Sequence, residues 1–308
     1  MIDITLLGCA ALLPIPDRAL TAATLTCAGR TILFDCGEGT QTAARRAGVS
    51  LMKADLIALT HYHGDHIFGL PGLMQTMHSL GRALPLTITG PEGLREAMVP
   101  ILALTGHTGY DIRLIELPPE GLRLCDLDRG WPAEARLTAF PTEHRSPSQG
   151  YCFTLGRAGK FLPENARALG VPPRLWSRLQ QGMDVQLDGR TVRPGQVLGP
   201  RRRGLKFVFT GDTAPCETLT RAAADADLMI CEATYGEDDQ AALAVDHGHM
   251  NFAQAARTAA DARVRRLWLT HYSQMIEDPE ACLPNAQAIF PNAECGADGK
   301  RLTLTFDP

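Results

Sequence analysis

The segment that decides the fold class is Leu56–His66, which reads LIALTHYHGDH. Its apolar first half predicts a buried strand, and its second half carries three imidazoles and one carboxylate. A strand that ends in a turn can direct alternate side chains, here His61 and His63, toward one point while Asp65 and His66 turn toward a second. Imidazole and carboxylate groups are ligands for zinc and similar metals. The segment therefore predicts a metal site just beyond the end of a strand.

Three more candidate ligands lie far from this segment in the sequence. Asp212, His271 and His144 each come shortly after an apolar segment that predicts a strand. Because α/β proteins place their ligand sites beyond the carboxyl ends of strands, we expect these side chains at the same edge as the first group. Each of them alone is a weak indication, but together they fit one site.

The rest of the chain predicts an α/β protein whose sheet is mixed. The 308 residues allow one large domain or two ordinary ones, and 45% hydrophobic with 21% charged residues is typical of a soluble globular protein. Hairpin-spaced strands come first, and strands alternating with helices follow. One predicted strand covers Leu56–Thr60 and one predicted helix covers Pro91–Leu104.

Two further patterns concern the compartment. No run of about 18 apolar residues without a charge is present, which excludes a membrane-spanning helix. The nine Cys are scattered and form no CxxC pair. This spacing is typical of free thiols in a reducing compartment, so we expect a cytoplasmic protein.

The segment 158–206 interrupts the alternation of strands and helices. It is rich in Gly, Pro and Arg, and it is far longer than the roughly 2–6 residues that usually connect two elements. From Lys160 to Lys206 it carries ten Lys and Arg against three Asp and Glu, a net charge of +7 in a chain of net charge −4. Leu175, Trp176 and Leu179 are apolar anchors, so we expect a partly structured arm. Its charge favours contact with a polyanion, although a solvated basic loop without a partner fits equally well.

Several motifs extend beyond the candidate ligands. The box His61–His66 runs into FGLPGL at residues Phe68–Leu73, and shorter motifs lie at Phe34–Gln41, Thr210–Thr213, Cys231–Thr234 and Leu269–His271. With these motifs the sequence resembles the metallo-β-lactamase superfamily and, within it, the ribonuclease Z family of tRNA 3′-processing endoribonucleases. The resemblance spans essentially the whole chain. It implies an αββα metallo-β-lactamase sandwich, a single domain over residues 1–308 with the basic arm 158–206 inserted as a tRNA-binding exosite.

The resemblance also implies two zinc ions per chain. One ion would be held by His61, His63 and His144, the other by Asp65, His66 and His271, and Asp212 would bridge the two. Seven protein ligands with a shared water suffice for two metals roughly 3.5–4 Å apart. Asp35 and Glu38 are expected to hydrogen-bond to ligating imidazoles.

A pair of zinc ions implies a hydrolytic chemistry. They lower the pKa of a bridging water toward neutrality, so that hydroxide attacks a phosphodiester whose charge the same ions neutralise. In the family pattern Asp65 would orient or deprotonate the nucleophile, and His249 would stabilise the pentacovalent phosphorus or protonate the leaving oxygen. Glu232 would orient His249. The alternatives are that His247 takes the role of His249 and that Glu232 caps a helix.

The predicted function is a zinc-dependent endoribonuclease that removes the 3′ trailer from precursor tRNA, acting as a homodimer without membrane contact. The arm residues expected to contact the RNA are Lys160, Arg174, Arg178, Arg201, Arg202 and Arg203. Three departures from the family pattern concern substrate contact, and one of them is Arg18-Ala19 near the N-terminus, where Arg-Asn is usual. Arg174 and Leu175 follow Pro172-Pro173 where Gly-Pro is usual, and Met250-Asn251 follows His249 where Ser-Thr is usual.

Two other functions compete with this prediction. A small-molecule phosphodiesterase or other ester hydrolase of the same superfamily would use the same metals but would have no need of a basic arm. A zinc protein that binds nucleic acid without catalysis is disfavoured, because structural zinc sites are closed sites with four ligands and do not share a bridging acid.

Overall fold

The computed structural model describes residues 1–307, and most of the strands in that range form two seven-stranded sheets. The first sheet has the order β16-β1-β2-β3-β4-β5-β6 and the second the order β15-β14-β13-β12-β9-β8-β7, while β10 and β11 form a separate hairpin. The strands are β1 (Ile2–Gly8), β2 (Ala22–Cys27), β3 (Arg30–Phe34), β4 (Ala54–Ala58), β5 (Leu86–Gly90), β6 (Ile112–Glu116), β7 (Leu122–Arg123), β8 (Ala135–Pro141), β9 (Gln149–Arg157), β10 (Val185–Leu187), β11 (Arg190–Val192), β12 (Arg202–Phe209), β13 (Leu228–Glu232), β14 (Leu267–Thr270), β15 (Ala293–Cys295) and β16 (Arg301–Leu304).

The helices form a layer on each sheet. Buried side chains of α1, α3 and α4 share one apolar cluster with the first sheet, and α8, α10 and α11 contact strands of the second. The helix predicted from Pro91 begins only at Leu94, because Gly93 has a left-handed φ of 89°. The helices are α1 (Thr40–Arg46), α2 (Gly64–Ile67), α3 (Leu70–Ser79), α4 (Leu94–Thr105), α5 (Leu124–Leu127), α6 (Pro163–Ala168), α7 (Trp176–Gln180), α8 (Glu217–Ala223), α9 (Ala241–His247), α10 (Phe252–Asp261) and α11 (Pro279–Gln287).

The two sheets pack face to face through an aromatic core. The ring of Phe34 on β3 lies 5.5 Å from that of Phe207 and 5.4 Å from that of Phe209, both on β12, and 5.9 Å from that of Tyr151 on β9. All four side chains are buried. Replacing a buried Phe with Ala typically costs about 3–5 kcal/mol, so this cluster contributes substantially to holding the sheets together. The predicted αββα sandwich is confirmed.

Both sheets are mixed, and this determines where the site lies. Strands β3 to β6 pair in parallel, as do β12 to β15, whereas β16, β1, β2 and β3 pair antiparallel. The strand predicted at Leu56–Thr60 is β4 and ends at Ala58. The parallel strands β4, β12, β13 and β14 therefore bring the residues that follow them to one edge.

The arm forms a compact unit that consists of Leu155–Leu205 together with Phe306 and Asp307. The unit has an apolar core of its own, and the predicted anchor Leu179 is fully buried within it. This core consists of Ala166, Val171, Leu179, Val185, Val192 and Val197, with Phe161, Leu169, Leu175, Trp176 and Leu187 packed against it. The arm is thus structured rather than a linker.

The predictions about membrane helices and thiols can be compared with the structure. Within residues 1–307 no helix has both the length and the apolar character needed to cross a membrane. All nine Cys are free thiols and seven of them are buried.

Candidate metal centre

The structure brings the seven candidate ligands together at the edge where the parallel strands end. His61 and His63 follow β4, and Asp65 and His66 lie on α2, a short helix that the sequence pattern did not predict. The donor atoms form two groups within which all lie within 4.8 Å of one another. The first group is His61, His63, His144 and Asp212, and the second is Asp65, His66 and His271.

The carboxylate of Asp212 lies between the two groups. Its Oδ2 is 3.6 Å from Nε2 of His61, and its Oδ1 is 3.4 Å from Nε2 of His66 and 3.2 Å from Nε2 of His271. Each oxygen therefore faces a different group. This is the arrangement that a ligand shared by two metals requires.

The donor set fits metal ions on three counts. Oδ1 of Asp212 is buried and has no partner of hydrogen-bonding geometry in the described part of the chain. The two oxygens of Asp212 lie 3.2–3.6 Å from the imidazole nitrogens that they face, and ligands placed tetrahedrally about 2.1 Å from an ion are about 3.4 Å apart. Although burial raises the pKa of Asp212, the imidazoles of His271, His66 and His61 lower it well below its usual range, so the carboxylate is ionised.

Hydrogen bonds fix the tautomers of the ligating imidazoles. Nδ1 of His66 bonds to Oδ2 of Asp35 at 2.8 Å, and Nδ1 of His144 bonds to the Gly248 carbonyl at 2.9 Å. Nδ1 of His61 and His271 contacts the hydroxyls of Thr60 and Thr234, at 3.1 and 2.9 Å. These contacts leave Nε2 of all four rings directed at the ligand cluster, as is usual for imidazoles around a metal. His63 instead presents Nδ1, which lies 2.9 Å from Nε2 of His61.

Asp35 behaves as the sequence pattern predicted, but Glu38 does not. Asp35 is fully buried, and besides His66 it accepts hydrogen bonds from the backbone N–H and the hydroxyl of Thr60 at 2.8 and 2.9 Å. The side chain of Glu38 is exposed and contacts none of the ligating imidazoles. The prediction for Glu38 is wrong because the turn after Asp35 directs this side chain toward solvent.

Backbone strain is concentrated at this site. Asp35 and His271 have φ of 56° and 60°, a left-handed conformation that costs a residue with a Cβ energy. The backbone at Gly37 approaches the Asp65 carbonyl so closely that no Cβ would fit, and the same holds for Gly69 against the Gly37 carbonyl. The loop after β3 and helix α2 can therefore pack together only with glycine at both positions.

Beside the ligands, Glu232 receives hydrogen bonds from several donors. It is fully buried at the end of β13, and Oε1 accepts from Nδ1 of His249 at 2.9 Å and from the Thr213 N–H at 3.0 Å. Oε2 accepts from the N–H and the hydroxyl of Thr234 and from the Met250 N–H, at 2.9–3.1 Å. Glu232 thus holds His249 and does not cap a helix.

His249, and not His247, faces the ligand cluster. A ring nitrogen of His249 and the ligand atoms of Asp212 and His271 all lie within 4.8 Å of one another. The ring of His249 stacks on that of His271, with 5.6 Å between the ring centres. His247 instead bonds through Nδ1 to the Tyr235 hydroxyl at 2.5 Å. Burial lowers the pKa of His249, but the Glu232 carboxylate outweighs it and raises the pKa to about 9. A cation bound at the neighbouring ligands would lower this value by charge repulsion.

Two residues that the sequence pattern did not single out also shape the site. The Thr234 hydroxyl donates a hydrogen bond to Glu232 and contacts the Nδ1 atoms of His249 and His271. Its position in the sequence, two residues after Glu232 at the end of a strand, was the feature that could have indicated this role. The Leu12 N–H donates to Oδ2 of Asp65 at 2.9 Å. A backbone contact of this kind across the fold leaves no mark in the sequence.

The predicted RNA-contacting residues of the arm differ in exposure. Five have exposed side chains, namely Lys160, Arg174, Arg178, Arg201 and Arg203. Arg202 is half-buried and donates from Nε to the Ala158 carbonyl at 3.0 Å. Arg203 lies 3.7 Å from the Asp307 carboxylate. The last two therefore have contacts within the arm unit.

Comparison with known proteins supports the assignment suggested by the motifs. Residues 26–77 match a model of the metallo-beta-lactamase superfamily, and residues 172–272 match one described as a beta-lactamase superfamily domain. A ribonuclease Z of Lachnoclostridium phytofermentans is 39% identical over 307 residues, which cover 100% of this chain and 99% of that protein. The chain belongs to the ribonuclease Z family.

Two more relatives agree with this. A ribonuclease Z of Clostridium acetobutylicum is 40% identical, with 100% of this chain and 99% of that protein covered. The crystal structure of human tRNase Z, short form, is 26% identical and superimposes with a TM-score of 0.68 over 99% of this chain and 100% of that one. In this member of the ribonuclease Z family, the ligand cluster and the His249–Glu232 pair lie at the edge of the sheets.

Proposed function

We propose that the chain is an endoribonuclease that removes the 3′ trailer from precursor tRNA with two zinc ions bound at the candidate metal centre. The observation that carries the proposal is the pair of ligand groups joined by Asp212, with the His249–Glu232 pair beside them. The full-length relatives are ribonuclease Z proteins, and they are the basis for proposing precursor tRNA as the substrate.

In this proposal each of the two ligand groups would bind one zinc ion. His61, His63 and His144 would bind one ion, Asp65, His66 and His271 the other, and Asp212 both. When bound, the ions supply a hydroxide at neutral pH and stabilise charge on the phosphodiester.

The chain's own residues orient the reactants and move the proton. Asp65 accepts a hydrogen bond from the Leu12 N–H and lies 3.5 Å from Nε2 of His271, and in this proposal it would orient the attacking oxygen. As the new bond to phosphorus forms and the bond to the leaving oxygen breaks, protonated His249 donates its proton to that oxygen. Glu232 holds the ring for this transfer and favours its charged form.

The basic arm supports RNA as the substrate over a small molecule. Its net charge of +7 suits the phosphates of a folded RNA, whereas a small ester would leave these cations without a function. Lys160, Arg174, Arg178, Arg201 and Arg203 have exposed side chains, and Arg202 is half-buried.

A homodimer is part of the proposal. The arm unit has its own apolar core, so it can keep its fold while it contacts RNA that is held at the metal centre of a second subunit. Sedimentation of the protein with and without precursor tRNA tests this, because a monomer that cleaves at full rate would exclude the dimer.

The free thiols fit the reducing cytoplasm in which we place the protein.

Competition between two substrates tests the proposed function. Zinc-loaded protein should hydrolyse a small chromogenic phosphodiester, and precursor tRNA should inhibit that reaction competitively because both substrates occupy the same centre. Mature tRNA without a trailer serves as the reference. Hydrolysis of the small ester without competition by precursor tRNA would favour the small-molecule hydrolase.

A further inference from the structure

An exposed aromatic ring lies directly on the metal-binding box. Phe68 is the residue after α2, and 66% of its surface is accessible to solvent. A Cβ added at Gly64 would collide with the Phe68 ring, so the ring rests on the backbone of Gly64. Gly64 stands between His63 and Asp65, which belong to the two different ligand groups. The ring therefore borders the site where the scissile phosphate would lie.

A second exposed apolar residue contacts the neighbouring Asp65 through its backbone. Leu12 is 70% exposed, and its N–H donates to Oδ2 of Asp65. Leu12 also has a φ of 65°, a conformation that costs a branched residue energy. The loop after β1 thus holds an unburied leucine beside Asp65 in a strained conformation. Two independent contacts, the Phe68 ring on Gly64 and the Leu12 N–H on Asp65, therefore place two exposed apolar residues at adjacent positions of the metal-binding box.

The chemistry of the proposed substrate suggests what covers this surface. This step rests on the proposed function. The nucleotides on either side of the cut lie beyond the paired stem, so their bases are unpaired and their faces can stack on protein side chains. Proteins hold single-stranded bases by stacking them on aromatic rings, and any base can be held in this way.

We propose that Phe68, with Leu12, holds the nucleobase next to the scissile phosphate and so positions the bond over the metal centre. The ring stacks on the base, and the Leu12 side chain covers its edge. Phe68 and Leu12 are positioning residues in this account, and neither takes part in proton transfer. The contact discriminates little among the four bases but requires that a base be present.

Abasic substrates test this assignment. Three precursors are needed: an intact one, one that lacks the base on the 5′ side of the cut, and one that lacks the base on the 3′ side. With the intact precursor, Phe68→Ala should lower kcat/KM by roughly 5- to 150-fold, the range for one stacked base. With one of the abasic precursors, wild type and Phe68→Ala should differ by less than about twofold, because the group on which Phe68 acts is gone.

Matched variants separate stacking from damage to the fold. Leu80 is equally exposed at the far end of α3, so Leu80→Ala should cleave the intact precursor like wild type. Phe68→Trp should keep the activity and Phe68→Leu should lose most of it, with unchanged metal content in both. Leu12→Ala should show a smaller loss with the same abasic precursor dependence.

The stacking role of Phe68 and the proposed function would be contradicted by different results. If Phe68→Ala lowers kcat/KM equally on all three precursors, or if Phe68→Leu matches wild type, the stacking role is wrong although the proposed function stands. If wild-type protein fails to cut any of the precursors, the proposed function itself fails.

Discussion

Replacing Glu232 with Gln tests how the buried carboxylate supports catalysis, because the amide keeps the size and removes the charge. The two oxygens of Glu232 accept from three backbone N–H groups, one hydroxyl and one imidazole. An amide nitrogen cannot accept any of these bonds. In the less costly orientation it replaces Oε1, where it faces the Thr213 N–H and Nδ1 of His249, and the other oxygen keeps its three donors.

The expected losses of stability and of kcat follow from this orientation of the amide. One buried N–H, that of Thr213, loses its acceptor, which costs roughly 1–3 kcal/mol of unfolding free energy. His249 can accept from the amide only as the neutral ring. The carboxylate charge that raises its pKa to about 9 is lost at the same time. Since a general acid typically contributes about 10²–10⁴-fold, kcat should fall by a factor in that range.

The assay compares Glu232→Gln with Glu38→Gln, which removes an exposed carboxylate in the loop after β3. Denaturant unfolding, zinc content by elemental analysis and kcat on a small phosphodiester are measured for both. We expect unchanged zinc in both variants and a stability and rate loss in Glu232→Gln alone. Wild-type kcat in Glu232→Gln would refute the reasoning, and loss of zinc would show that the carboxylate acts mainly on the ligands.

Three further predictions concern the shared ligand, the general acid and the arm. Asp212→Ala should lower zinc content and phosphodiesterase activity together, and an active variant with two tightly held zinc ions would contradict the bridging role. In the metal-free protein the raised pKa of His249 stabilises the fold fully below pH about 6.5, the ordinary pKa of imidazole, and this contribution is lost as the pH rises through about 9. Chemical unfolding across that range should therefore show a steeper decline for wild type than for His249→Ala. Replacing Gly159–Gly204 with a short Gly/Ser linker should keep the zinc ions and small-ester hydrolysis but weaken precursor tRNA binding and flatten its salt dependence. Equal processing with and without the arm across a salt series would contradict the clamp.

The sequence predicted most of the ligand cluster because strand ends and ligand chemistry coincide there. His61 and His63 follow an apolar segment, and Asp212 and His271 follow two others. β4 belongs to the first sheet and β12 and β14 to the second, and the parallel strands of both sheets bring the residues that follow them to the same edge of the sandwich. Helix α2 escaped prediction because its four residues are too few for a helical period to appear.

The contacts that depend on tertiary packing could not be predicted in this way. Nothing local distinguishes His249 from His247; the difference is that Glu232 accepts from one ring and the Tyr235 hydroxyl bonds to the other. Glu38 follows Asp35 closely, yet only Asp35 is buried against the ligands.

The cleavage site on precursor tRNA tests the central claim most directly. Zinc-loaded protein is incubated with precursor tRNA labelled at both ends, and the ends of both products are mapped at single-nucleotide resolution. We predict one cut just after the acceptor stem that releases the trailer in one piece and disappears in Asp212→Ala. Scattered cuts, or no cut by protein that hydrolyses a small phosphodiester, would contradict the account.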